Sequence, residues 1–125
     1  MANKKGINTI NKFFGKEVAN EVIKDHGKAD IVFARNVIPH VADVKDVIGG
    51  IRTCLSEDGI GIIEFHSADK IIKELHYDSI YHEHLFYHSL DSILYLLKEF
   101  GLNAFGLEKS PISGGSHVIF FSKIE

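Results

Sequence analysis

The sequence predicts an α/β domain of about five strands, mostly parallel, ending in a C-terminal antiparallel hairpin. Asp30–Ala34 and Ile60–Phe65 are short apolar runs of the kind that a parallel sheet buries on both faces. Helix-periodic stretches alternate with them, which implies right-handed crossovers and helices on both sides of the sheet. Two final strand-like runs, Leu102–Glu108 and Ser116–Ile124, flank Pro111 and Gly114-Gly115 and read as a hairpin.

Taken in order, Ile7–Phe14 carries β-branched and aromatic residues and is expected to be a strand. Lys16–His26 places Val18, Val22 and Ile23 at helical spacing, with Gly27 as its stop. After the Asp30–Ala34 strand comes a loop, Arg35–His40. Asp43 then caps a helix running to about Leu55, with Val44, Val47, Ile48 and Ile51 inward. Gly49-Gly50 weakens that helix and so predicts a close packing contact there. Ser56–Gly59 is a turn before the Ile60–Phe65 strand. Asp69–Leu75 is a short helix. Ser89 caps another, Leu90–Phe100, with Leu90, Ile93, Leu94, Leu97 and Phe100 inward and Gly101 closing it.

The 125 residues suit one domain with a single core. The net charge of −3 and the lack of a Lys/Arg cluster give no reason to expect nucleic-acid binding. No apolar run approaches a membrane span, and no signal peptide is visible, so a cytoplasmic location is expected. The single cysteine, Cys54, reads as a small core residue.

One stretch stands apart. Tyr81 to His88 holds three histidines, two tyrosines and a carboxylate in eight positions. Most of these groups can hold or pass a proton near neutral pH. In an α/β pattern, where ligand sites lie at strand ends, this reads as the proton-handling part of an active site.

Several motifs resemble those of class I S-adenosylmethionine-dependent methyltransferases. Ala34-Arg35-Asn36-Val37-Ile38-Pro39-His40 is similar to the A-x-N-x-x-x-H loop after the fourth strand of one subgroup. Leu55-Ser56-Glu57-Asp58-Gly59 looks like its L-x-x-x-G turn. Tyr77 to His84 resembles F-D-x-I-Y-x-E-H, and Pro111 to Ser116 resembles P-x-H-G-G-S. The subgroup is the C-methyltransferases that act at carbon 3 of nucleotide-linked 4-keto-deoxysugars. The resemblance runs from about Gly6 to Ile124.

It implies a partial Rossmann-like sheet, S-adenosylmethionine as cofactor and a nucleotide-linked sugar as substrate. By resemblance His84 is the base, Glu83 orients a histidine or meets the sugar, and Tyr81 donates to the developing oxyanion. His40 and Asn36, with Gly114 and Gly115, lie on the substrate side, and Asn36 also faces the cofactor. Glu64 and His66 are weaker candidates. Ser113 replaces the histidine of the Gly-Gly loop, and Val118 an arginine. The family's acidic, glycine-containing loop and ribose-holding acid are absent, so the chain is expected to start near the third strand and to be a truncated domain over 1–125, inactive alone. Ile7–Phe14 is then expected to move in beside Asp30–Ala34, unless a second copy pairs there. A missing N-terminal half is the other expected partner.

Two rivals stand beside this reading. One is a metal site in which His84 and His88 at i, i+4 are joined by His82, Glu83 and His66. The other is a non-catalytic or split-subunit interaction module. His82 and His88 are otherwise expected to be exposed, and His26, His76 and His117 structural or solvated.

Overall fold

The computed structural model describes residues 3–123. In chain order the elements are α1 (Lys16–His26), β1 (Ala29–Arg35), α2 (Val44–Cys54), β2 (Leu55–His66), α3 (Ala68–Lys73), α4 (Leu90–Glu99), β3 (Leu102–Ser110) and β4 (Ser116–Lys123). Short 3-10 turns at Ile38–His40, Tyr77–Ser79 and Ile112–Gly114 shape the connections. The sheet order is β1-β2-β4-β3, with β1 and β2 parallel and β4 antiparallel to both its neighbours.

The helix ends follow the chemistry read from the sequence. Gly27 adopts φ 80 and returns its N–H to Ile23 O. Asp43 accepts from Asp46 N at 2.9 Å, and Ser89 Oγ from Ser92 N at 3.2 Å. Each satisfies an orphan donor of a first turn. The glycine pair of α2 is a packing device: a Cβ on Gly50 would lie 2.8 Å from the Gly15 backbone at the start of α1.

Among the described residues four strands are present rather than five. Ile7–Phe14 forms none, and Ile7, Ile10 and Phe13 are exposed. Its β-prone composition finds no apolar layer to cover; only Phe14 turns inward, against Val32, Ala34, Val47 and Ile51. The outer edge of β1 therefore has no strand partner among the described residues. The Ser56–Gly59 turn is a bulged excursion at the start of β2, where the register jumps between the Ala29 and Ile31 pairings.

The core lies on one face only. Ala34, Ile63, Phe65, Ile119 and Phe121 point from the sheet into Ile48, Ile51, Ile93 and Leu97 of α2 and α4. In α4, Leu96 is buried and Leu94 is not, because the helix tilts its Leu96 side toward the core. On the other face Ile31, Phe33, Ile60 and Phe105 are exposed. This corrects the expectation of strands buried on both sides, and the reason is topological. The β1-to-β2 and β2-to-β3 connections advance in the same direction across the sheet, and right-handed crossovers that advance the same way place their helices on the same face.

Candidate active site at the strand ends

The C-terminal ends of β1 and β2 lie side by side, the place where open α/β sheets bind ligands. Asn36 follows β1 at φ 52, a left-handed turn that asparagine tolerates, and donates its N–H to Glu64 O at 2.9 Å. The Ile38–His40 turn comes next, with Ile38 and Pro39 buried. Pro39 O accepts from Leu85 N at 2.8 Å and Phe86 N at 3.3 Å. Those two bonds hold the histidine-rich segment across the end of the sheet.

They bring His84, Tyr81 and His40 together. His84 Nδ1 lies 2.9 Å from Ser79 O, and its Nε2 lies 2.9 Å from the Tyr81 hydroxyl. A carbonyl only accepts, so Nδ1 carries the hydrogen. In the neutral ring Nε2 is then a lone pair, and the phenol donates to it. His40 Nδ1 lies 2.8 Å from Glu83 O, which fixes the same tautomer and leaves its Nε2 basic. The two imidazoles stand 4.7 Å apart between centroids, and Tyr81 packs 4.1 Å from His84. Glu83 thus orients a histidine through its backbone carbonyl rather than its carboxylate.

Beside His40 opens a cleft of about 520 Å³, lined by Phe13, Phe14, Val37, Val41 and Leu85 with Lys12 and Asp46 at its border. Gly114 and Gly115, at φ 76 and 135, form a separate wall with Lys70, Lys109, Ser116 and His117 around a cleft of about 380 Å³. The structure therefore places the sequence-predicted residues in two neighbouring groups. They are joined where Ser79, which holds His84, donates its N–H to His76 O at 3.0 Å.

The neighbours named as weaker candidates sit in surroundings the sequence did not show. Glu64 is buried; its Oε2 meets Arg35 Nε at 2.7 Å, while its Oε1 has no partner. His88 is not exposed: Phe86 stacks on its ring and its Nε2 is buried without a partner. Burial pushes the His88 imidazole below its usual range. His66 is pushed down likewise, first by burial and then by the nearby charges of His76 and His84. His82 is exposed as expected. Among the described residues no group of three or more carboxylate, imidazole or thiolate side chains is placed to hold a metal, so the shell of His84, His88, His82, Glu83 and His66 is not gathered. His84 spends both ring nitrogens on Ser79 and Tyr81 instead.

A parallel pair extended by an antiparallel C-terminal hairpin, with a histidine–tyrosine cluster at the strand ends, defines a Rossmann-like α/β domain. The methyltransferase-domain family matches residues 1–105, and the chain belongs to it. It is 33% identical over 120 residues to the C-methyltransferase NovU of Streptomyces niveus, covering 96% of this chain and 29% of that protein. The magnesium protoporphyrin IX methyltransferase of Synechocystis PCC 6803, solved with S-adenosylhomocysteine, shares the fold at a TM-score of 0.58 and 14% identity, over 77% of this chain and 45% of that one. A Burkholderia thailandensis 1,6-didemethyltoxoflavin N1-methyltransferase aligns at a TM-score of 0.60 and 15% identity, over 77% and 44%. The chain thus spans less than a third of its curated relative and less than half of these solved chains.

Proposed function

We propose that this chain is the substrate-side part of an S-adenosylmethionine-dependent C-methyltransferase acting on a nucleotide-linked keto-sugar in the cytoplasm. The observation that carries the reading is His84, held with Nδ1 protonated and Nε2 presented as a base. Methylating carbon needs a carbanion equivalent, and a carbon beside a ketone supplies one when a base removes its hydrogen. His84 Nε2 takes that proton, and the electron pair moves onto the ketone oxygen. The incoming carbon displaces the Tyr81 phenol from Nε2, leaving its O–H free to donate to the enolate oxygen. When bound, S-adenosylmethionine supplies the electrophilic methyl group. Asn36 and the apolar cleft beside His40 form one wall for it and the sugar. Lys70 and Lys109, at the Gly114-Gly115 wall, suit a nucleotide's phosphates.

These residues fit only part of the cofactor. The one acidic side chain of β1, Asp30, lies at the strand's amino end and accepts from Ser56 Oγ at 3.2 Å; among the described residues none of β1 lies at its carboxyl end to hold the ribose or amino group, so these residues alone are not expected to methylate. Further polypeptide, of the same chain or of another, would complete the site, and the sheet topology favours one kind. Helices reach the open face of Ile31, Phe33 and Phe105 only through crossovers that advance the other way, onto strands added outside β1. The partner is thus a polypeptide that adds strands to β1 and lays helices on that face; a second copy of the chain is the competing occupant. This favours a split or incomplete enzyme over a purely non-catalytic module.

Proton abstraction can be tested without cofactor. A nucleoside-diphosphate 4-keto-6-deoxyglucose is incubated with the chain in deuterium oxide, and loss of the carbon 3 proton is followed by NMR. Exchange is expected to slow by about 10²-fold or more in His84→Asn, the usual contribution of a general base. Equal rates in the two proteins would refute the assignment.

A further inference from the structure

Glu74, His76 and His66 lie in a row beside the His84 group and have no part in the chemistry above. His66 closes β2 and is buried. Its Nε2 lies 3.4 Å from His76 Nδ1, and His76 Nε2 lies 3.3 Å from Glu74 Oε2. The backbone is bent to allow this. Leu75, between Glu74 and His76, takes φ 56, a left-handed conformation that costs an L-residue about 1–2 kcal/mol. A Cβ on Gly114 would come within 2.9 Å of His76 Cε1, so the ring fits because position 114 has no side chain.

The donor sequence follows from the ends inward. A carboxylate only accepts, so His76 Nε2 carries a hydrogen and, in the neutral ring, Nδ1 accepts. The hydrogen between the rings then belongs to His66 Nε2, and His66 Nδ1 is left as a lone pair. We propose that Glu74, His76 and His66 form a proton-holding relay that presents His66 Nδ1 to a hydroxyl group of the substrate, as a second positioning imidazole beside His84. Only the hydroxyl depends on the methyltransferase reading; the relay itself is a property of the free chain.

The charges around His66 agree with a neutral ring. Burial disfavours its protonation first, and a proton arriving on His76 or His84 would add to that, while Asp78 and Glu74 act the other way. Lys70 pairs with the other oxygen of Glu74 and keeps that carboxylate in place. A tetrahedral zinc ion with arms of about 2.0–2.1 Å would also set two nitrogens roughly 3.4 Å apart. No third ligand converges among the described residues, which favours the relay.

Long-range proton–nitrogen NMR of the labelled full chain, with a chelator present and across pH, tests it. His66 and His76 are each expected in the Nε2–H form, with His66 protonating only below its ordinary 6.5. Glu74→Gln keeps an acceptor but removes the charge, and should lower the His66 midpoint. Glu99→Gln, which touches Lys45 instead, should leave it unchanged. Adding the keto-sugar nucleotide should shift His66 Nδ1 as a new hydrogen bond forms. Mixed tautomers, no response to Glu74→Gln, or a fixed His66 ring only after zinc is added would overturn the relay. An intact relay whose His66 Nδ1 ignores the sugar would overturn the hydroxyl contact. Failure of deuterium exchange alone would leave the relay's resonances as described.

Discussion

Gly61 sits in the middle of β2 opposite Phe121 of β4. Phe121 is fully buried, and a Cβ on Gly61 would lie 2.2 and 2.3 Å from its Cε2 and Cζ. Those atoms belong to a ring enclosed by the core, so neither side can yield without moving a strand. Gly61→Ala should therefore cost about 1–3 kcal/mol, the usual range for overpacking. For a chain of this length the unfolding entropy makes 1 kcal/mol worth about 4 °C, so the melting temperature should fall by roughly 4–11 °C. Thermal unfolding followed by circular dichroism measures this directly. The double variant Gly61→Ala/Phe121→Leu should recover part of the loss, since the contact is specific to that pair. An unchanged melting temperature in Gly61→Ala would refute the register of β2 against β4, and with it the antiparallel joining of the C-terminal hairpin to the parallel pair.

The remaining predictions concern protons, surface and thiol. His66, His88 and His117 are all held below the ordinary 6.5 of histidine, mainly by burial. The unfolded chain then binds more protons as pH falls through 6.5, so their contribution is complete above it and is lost on the acid side. Urea unfolding at several pH values should show stability falling below about pH 6.5, with a shallower slope in His88→Leu, which removes an orphaned ring nitrogen. Phe33→Asp combined with Phe105→Asp should reduce concentration-dependent association in sedimentation velocity and alter stability by no more than about 0.5 kcal/mol each, as expected of exposed positions. Cys54 is buried and its thiol is pushed upward by that burial, so a disulfide reagent should label it fast only after unfolding.

Local chemistry accounts for what could be read in advance. Helix boundaries at Gly27, Asp43 and Ser89 are set by groups within four residues, and each is found where its side chain or φ requires. The hairpin and the buried Cys54 follow from composition alone. Ile7–Phe14 was misleading because strand propensity records fit to a half-buried surface, and no such surface lies beside it. The exposed face of β1 could not be read from its apolar run, since burial depends on which way the crossovers advance. In the site, the Tyr81–His84 segment was legible because its residues are adjacent in sequence. His66 and His76 lie ten positions apart with no shared period, and only the left-handed turn at Leu75 brings them together. The backbone role of Glu83 was invisible for a similar reason: side-chain type says nothing about which carbonyl a histidine will find.

The tautomer of His84 tests the proton-handling site most directly. Nitrogen NMR of the neutral ring should show Nδ1 bonded to hydrogen and Nε2 bare but accepting, with Tyr81→Phe shifting Nε2 toward a free lone pair and leaving Nδ1 protonated. A ring found with its hydrogen on Nε2 would mean that the base points away from any substrate, and the account of this site would fail.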